Sequence, residues 1–135
     1  VLAAFIEGIR QVAVPPETGT LRGDLLHMGE LICEQGRQHA STIRAVLVEV
    51  SRSPALNEVM QHEFIEQRKA LMINILQQAV DRGEIDRAAV NEELWDVMPH
   101  YLIFRSILPG PAPTRQTVQA LVDQVVIPSL TRRSE

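Results

Sequence analysis

Apolar residues recur every three or four positions along almost the whole chain, which is the spacing that repeats on one face of an α-helix. No stretch alternates apolar and polar residues for long enough to indicate a β-strand. Proline- and glycine-containing breaks separate the periodic segments. The pattern therefore predicts an all-α protein, an antiparallel helical bundle of about six helices, with no internal repeat and no linker long enough to divide it.

The breaks set the bounds of the predicted helices. They are expected over residues 1–14, from about Leu21 to Gly36, from about His39 to Val50, from Pro54 to Arg82, over residues 94–108, and from Thr114 towards Pro128. The Ser-Pro pair at 53–54 is typical of a helix start, and Gly83 is typical of a left-handed C-terminal cap. Asp86 or Asn91 is expected to cap the fifth helix, and Pro128 to kink or end the sixth.

The fifth predicted helix, residues 94–108, is apolar around most of its circumference, and one monomer of this size covers only one side well. The final helix carries an apolar stripe wider than a single neighbour needs. Two copies of this helix pair would form an intersubunit four-helix bundle about a two-fold axis. The sequence therefore predicts a homodimer. Its candidate interface residues are Phe104, Val118, Leu121, Val122, Val125 and Val126.

Composition narrows the class of protein. With 135 residues, of which 45% are hydrophobic and 22% charged, residues 1–135 suit a single domain with one core. The net charge of −4 and the scattered basic residues argue against DNA binding by this chain itself. No apolar run reaches the ~18–20 residues of a membrane span. The single cysteine, Cys33, favours a reducing, cytoplasmic compartment and is expected to be a small buried hydrophobe.

The cluster that most resembles catalytic chemistry is Glu58, His62 and Glu66, spaced four residues apart on one helix. A zinc-protease motif would need a second histidine where Glu66 stands, and a di-iron site would need a histidine three residues after Glu58. A solvated polar face is the favoured interpretation, as it is for His27 and Glu30. We therefore expect no catalytic residues, no metal and no cofactor.

A binding pocket for a small molecule has more support. Methionine adapts to irregular cavities, and aromatic rings with polar tips orient ligands, although the same residues could simply fill the core. Pro99 adds a reason to look here, because a proline inside a helix frees a carbonyl four residues earlier. The candidate ligand-binding residues are Met28, Met60, Phe64, Trp95, Met98 and Tyr101.

Three stretches, in this order, carry a family resemblance: residues 18–25 (TGTLRGDL), residues 79–85 (AVDRGEI), and residues 101–105 (YLIFR) leading to 121–123 (LVD). Together they resemble the C-terminal ligand-binding and dimerisation domain of a TetR-type transcriptional repressor. The resemblance implies a helix-turn-helix DNA-binding domain ahead of this one, which these residues do not contain. Residues 1–14 would then correspond to the helix that connects the two domains.

The function that this resemblance implies is regulatory. A homodimer would hold a small organic effector in a mostly apolar pocket of each subunit, and binding would shift the population of helix arrangements. DNA would be contacted only through the missing domain, in the cytoplasm and without a membrane. Two alternatives stay open: a helical protein-interaction module without a ligand, and a small helical enzyme that uses Glu58 and His62.

Overall fold

The computed structural model describes residues 15–131, and these residues are helical with no strand among them. The described helices are α1 (Leu21–Val50), α2 (Pro54–Met60), α3 (Glu66–Asp81), α4 (Leu94–Ile107), α5 (Arg115–Leu121) and α6 (Ile127–Thr131). π-Helical turns at Gln61–Ile65 and Val122–Val126 join α2 to α3 and α5 to α6, so the described residues form four long helical bodies. The all-α prediction is confirmed, although about six helices were expected. The helix predicted over residues 1–14 lies outside the described residues.

The predicted helix ends are largely confirmed by their capping geometry. Thr20 Oγ1 accepts a hydrogen bond from Gly23 N at 3.0 Å, and Ser53 Oγ accepts one from Leu56 N at 3.2 Å. Gly83 has a φ of +80°, a conformation that only glycine adopts without strain. Thr114 forms a capping box at the start of α5.

Both capping candidates before α4 are used. Asp86 Oδ1 accepts from Ala88 N and caps a short 3₁₀ turn, Arg87–Ala89. Asn91 Oδ1 accepts from Glu93 N at 2.9 Å, just ahead of α4. Asp86 therefore stabilises the loop, whereas Asn91 stabilises the backbone directly before α4.

The break expected between residues 36 and 39 is present as a kink at which two helical segments of α1 meet, although no loop separates them. Only His39 departs from helical geometry, with φ −121° and ψ 17°, and it marks a kink. Gly36 is buried where α4 crosses α1, and a Cβ added to it would lie 2.5 Å from Ser106 Cβ. This glycine therefore permits close packing of two helices and does not cap one.

Pro128 does not end the last helix either. It has no N–H to donate, so the carbonyl of Gln124 loses its usual partner. A wider π-helical turn, Val122–Val126, lies directly before the proline-containing α6, and the helical path continues to Thr131. Prolines and π-turns are both recognised causes of irregularity inside a helix.

The core is organised around α1, which packs against α2, α3, α4 and α5. A second close approach occurs at Gly29, where an added Cβ would lie 2.5 Å from Val118 Cγ1 of α5. The largest fully buried side chains are Leu25, Met28, Ile32, Ile43, Met72, Ile75, Leu76, Met98, Leu102 and Leu130. They come from α1, α3, α4 and α6, so one continuous core unites the helices.

We predict that Gly36→Ala lowers the free energy of unfolding by about 1–3 kcal/mol, because the new methyl group would overlap Ser106. Alanine normally stabilises a helix by about 1 kcal/mol relative to glycine, so a loss of stability here would indicate steric overlap. Urea unfolding followed by circular dichroism measures the change. The double variant Gly36→Ala/Ser106→Gly should show a favourable coupling. A single variant as stable as the wild type would contradict the close-packing role.

Candidate functional site

The first two sequence motifs meet around the start of α1. Asp24 is fully buried, and its Oδ1 accepts hydrogen bonds from Thr18 N at 2.8 Å and Thr18 Oγ1 at 2.7 Å. Its Oδ2 lies 3.5 Å from Nη2 of Arg82, which follows α3. A buried carboxylate is costly unless it is paired and hydrogen-bonded, so this contact pattern explains an aspartate inside the core.

Glu84 completes the connection between the two motifs. Its Oε2 accepts from Leu21 N at 2.9 Å, and its Oε1 accepts from Arg82 Nε. The Leu21 backbone bond, together with Arg82, lowers the pKa of Glu84 below its usual 4.5. Because the ionised form is favoured in the folded state, its contribution to stability is present above about pH 4.5 and is lost as the pH falls.

Gly23 is required by the same geometry. A Cβ at this position would lie 2.3 Å from Thr18 Oγ1 and 2.8 Å from Thr20 Oγ1. These hydroxyls are the groups that hold Asp24 and cap α1. The first motif is therefore a structural device that starts α1 and anchors it to the end of α3.

The third motif joins through an ion pair at the surface. Arg22 Nε and Nη2 donate to Asp123 Oδ1 and Oδ2 at 2.9 Å and 3.0 Å. This hydrogen bonding raises the pKa of Arg22 and lowers that of Asp123. Tyr101 and Arg105, from the same motif, lie elsewhere on the surface, where Arg105 Nη1 donates to Tyr101 Oη.

The six candidate interface residues divide into two groups. Val118, Leu121, Val122 and Val126 are at most 8% exposed within the single chain, so they pack in its own core. Phe104 and Val125 are 60% and 45% exposed. Tyr101 and Leu108 are also exposed; Tyr101 lies three residues before Phe104 on α4, and Leu108 directly follows the last residue of that helix. We call Tyr101, Phe104 and Leu108 the α4 outer strip.

The candidate ligand-binding residues are also divided. Met28, Met60 and Met98 are buried in the core, and Phe64 is partly buried against it. The Met98 methyl group lies 3.1 Å from the Cβ position of Gly29, so it packs directly onto α1. Tyr101 instead belongs to the outer strip and does not join this group. The side chain of Trp95 lies outside the described part of the structure.

A cleft of about 270 Å³ lies between α1 and the start of α5. The lining side chains include Glu30, Cys33, Glu34, Arg37, Thr114 and Arg115. The charges here are paired, since Arg115 Nε lies 3.1 Å from Glu30 Oε1 and Arg37 bonds to Glu34. None of the candidate ligand-binding side chains that the structure describes lines this cleft.

The residues considered for catalysis or metal binding lie on the helix surface or, for Cys33, in the core. Glu58, His62 and Glu66 are mostly exposed on the helix surface, with His62 Nδ1 3.2 Å from Glu66 Oε2. Within residues 15–131, no three His, Cys, Asp or Glu side chains are grouped so that they could hold a metal ion. Cys33 is a buried free thiol, and burial raises its pKa.

Sequence reasoning missed Arg68, whose side chain is only 2% exposed. Its guanidinium carbon lies 5.4 Å from the centre of the Phe64 ring. Burial lowers its pKa to about 10. Among the described residues, Nε, Nη1 and Nη2 have no hydrogen-bond partner. Its position in the sequence could have indicated this burial. Arg68 lies four residues from both Phe64 and Met72, which places it on the same inward side of the helix.

Comparison with known proteins agrees with this fold. The family model described as the tetracyclin repressor-like C-terminal domain matches residues 15–125. The chain belongs to this family. It is 73% identical over 132 residues to proteins named HTH-type transcriptional regulators, one from Mycobacterium bovis and two from strains of Mycobacterium tuberculosis.

The matched region covers 98% of this chain and 65% of each relative, so the chain spans about two thirds of their length. No solved structure matches the chain. Among the described residues, no helix combines the length and apolar character needed to cross a bilayer. The family and the relatives together identify a C-terminal domain of a TetR-like transcriptional regulator.

We predict that Asp24→Ala lowers the free energy of unfolding by about 2–4 kcal/mol, because it leaves Thr18 and Arg82 without their buried acceptor. The matched control is Asp123→Ala, which removes a partly exposed carboxylate and should cost at most about 1 kcal/mol. Thermal and urea unfolding measure both values. Equal losses in the two variants would show that the buried network does not anchor α1.

Proposed function

We propose that this chain is the effector-sensing and dimerisation domain of a TetR-like regulator, and that it has no enzymatic role. The main support is the 73% identity to HTH-type transcriptional regulators over nearly the whole chain. Because the family match is to a C-terminal domain, DNA contact is assigned to the part of such a regulator outside it. The net charge of −4 is consistent with this division of labour, and such a regulator would act in the cytoplasm.

The proposed effector site lies among the inward side chains of α1, α3 and α4 and the adjoining α2. Met28, Met60 and Met98 are flexible, buried and apolar, and partly buried Phe64 extends the group. Trp95 stays a candidate from the sequence. A small organic molecule here would separate or draw together α1 and α4, which form the most extensive helix contact among residues 15–131.

The proposed mechanism is a population shift between two arrangements of these helices. An effector changes the balance only if it binds one arrangement more tightly than the other. The coupling would pass to the DNA-binding domains through residues 1–14, the proposed connecting helix. The same coupling would then let DNA binding alter effector affinity, as linkage requires.

The proposed dimer interface is the α4 outer strip together with Val125. Its four side chains are between 44% and 60% exposed, which leaves large apolar groups in water. A two-fold axis beside α4 would pair this strip with its copy and remove them from solvent. The buried valines of α5 and the adjoining π-turn would support this surface from within, which changes their role from the one expected from sequence.

Effector binding can be tested by native mass spectrometry of the chain purified without denaturation, followed by thermal-shift screening of small apolar compounds. A ligand at about 100 times its Kd adds about 2.7 kcal/mol of stability. We therefore expect at least one compound to raise the Tm by several degrees, with refolded, ligand-free protein as the reference. A dimer that retains no small molecule and responds to none would instead favour the ligand-free interaction module.

We predict that Phe104→Asp converts the dimer to a monomer at low micromolar concentration, because it places charges at the centre of an apolar interface. Light scattering after size-exclusion chromatography measures the mass. Val48→Asp is the matched control, since Val48 is also 60% exposed but lies on α1. A monomeric wild type, or a dimeric Phe104→Asp variant, would remove the α4 outer strip from the proposed function.

A further inference from the structure

We propose that Arg68 binds the carboxylate of a small organic acid, so that the effector is an anion with an apolar body. This inference rests on the proposed effector-sensing function and specifies its ligand class. The central observation is a guanidinium that is enclosed by the protein and lacks hydrogen-bond partners among the described residues.

Burying the Arg68 guanidinium without a partner is energetically costly. A charged group that is taken from water into a protein interior is strongly disfavoured unless an opposite charge or hydrogen bonds compensate it. Arg68 keeps its proton over the whole physiological range, because even its lowered pKa is about 10. Among the described residues, burial is the one cause of this shift, and no acidic side chain offsets it.

The surroundings of Arg68 differ from those of Asp24 in the same core. Asp24, the other fully buried charged side chain described, accepts two hydrogen bonds from Thr18 at Oδ1, while its Oδ2 has no hydrogen-bond partner among the described residues but lies 3.5 Å from the charged Nη2 of Arg82. The fold thus supplies partners where a buried charge has a structural role. At Arg68 the described residues supply the aromatic face of Phe64 but no opposite charge, and all three buried guanidinium nitrogens have no hydrogen-bond partner among them.

The shape and charge of the guanidinium match those of a carboxylate. A guanidinium presents N–H donors in a planar fork that matches the two oxygens of a carboxylate. Phe64, Met60 and Met72 lie at four-residue intervals with Arg68 on the inward side of the α2–α3 body, and none of the three can neutralise a charge. One carboxylate balances one guanidinium, whereas a phosphate dianion would leave an excess negative charge. The apolar neighbours favour a ligand whose remaining atoms are hydrocarbon.

The local backbone is consistent with a binding role. The π-helical turn Gln61–Ile65 lies one turn before Arg68 and contains Phe64. Such turns inside α-helices occur frequently at functional sites. Here the wider turn sets the position of the Phe64 ring, which in turn contacts the guanidinium.

The test compares matched acids and amides. Octanoate and benzoate, their uncharged amides, and inorganic phosphate are titrated separately into the wild type, Arg68→Met, Arg68→Lys and Arg52→Met, with Tm and calorimetric Kd as the measurements. Arg52 is the matched control, because its side chain is 75% exposed. Arg68→Met should fold and be at least as stable without ligand, since it removes a buried charge. Arg68→Lys keeps the charge and removes the planar fork.

We expect a carboxylate to bind the wild type more tightly than its amide. Arg68→Met should weaken carboxylate binding about 10- to 100-fold, while the amide is unaffected. Arg68→Lys should lose part of the preference, and Arg52→Met should behave as the wild type.

Three results would overturn the inference. If the amides bind as tightly as the acids, or if Arg68→Met keeps the carboxylate affinity, the effector site stands but Arg68 is not its anion anchor. If phosphate binds and the carboxylates do not, the ligand class is wrong. If the wild type binds no probe and native mass spectrometry finds no retained small molecule, both this inference and the proposed effector function fail.

Discussion

The close approach of other helices to α1 is the constraint on which the rest of the structure depends. At Gly29 and Gly36 the missing side chains allow α5 and α4 to come within contact distance of the α1 backbone. This closeness places Met98 and Leu102 inside and leaves Phe104 outside. A bulkier α1 would move α4 outward or rotate it, and both the buried group and the outer strip would change. The positions of the helices are sensitive to side-chain size because protein interiors are densely packed and tolerate little added volume.

The two buried charged side chains described, Asp24 and Arg68, differ in how their surroundings compensate the charge. Asp24 is enclosed by donors from its own turn and from the end of α3, and this network anchors the start of α1. Arg68 lies in the same core, where its nitrogens have no partner among the described residues. Hydrogen bonds and an opposite charge around Asp24 stabilise a single arrangement, whereas the uncompensated charge of Arg68 is the basis of the proposed anion site. The family motifs correspond to the first kind, so their presence identifies the fold more directly than the ligand.

Helix α4 connects the proposed sensing and dimerisation roles, because its two sides have different environments. One side contributes Met98 and Leu102 to the core beside α1, and the other carries the α4 outer strip. Any ligand that moves α4 relative to α1 therefore also moves the proposed interface. In such a regulator, effector binding and subunit arrangement would be parts of one helix movement, which is the physical requirement for coupling between sites.

The sequence by itself determined the helical class, the helix starts near Leu21, Pro54 and Thr114, and the family, because capping groups and apolar periodicity act over a few residues. It could not distinguish a glycine that ends a helix from one that admits a neighbour, and so it placed the helix end near Gly36 and not at the kink at His39. Nor could periodicity say whether the apolar stripe of α5 faces its own core or a second subunit, since both environments select the same residues. The burial of Arg68 was likewise decided only when α3 took its place against α1 and α4. Tertiary packing decided these three features because each depends on contacts between residues far apart in the chain.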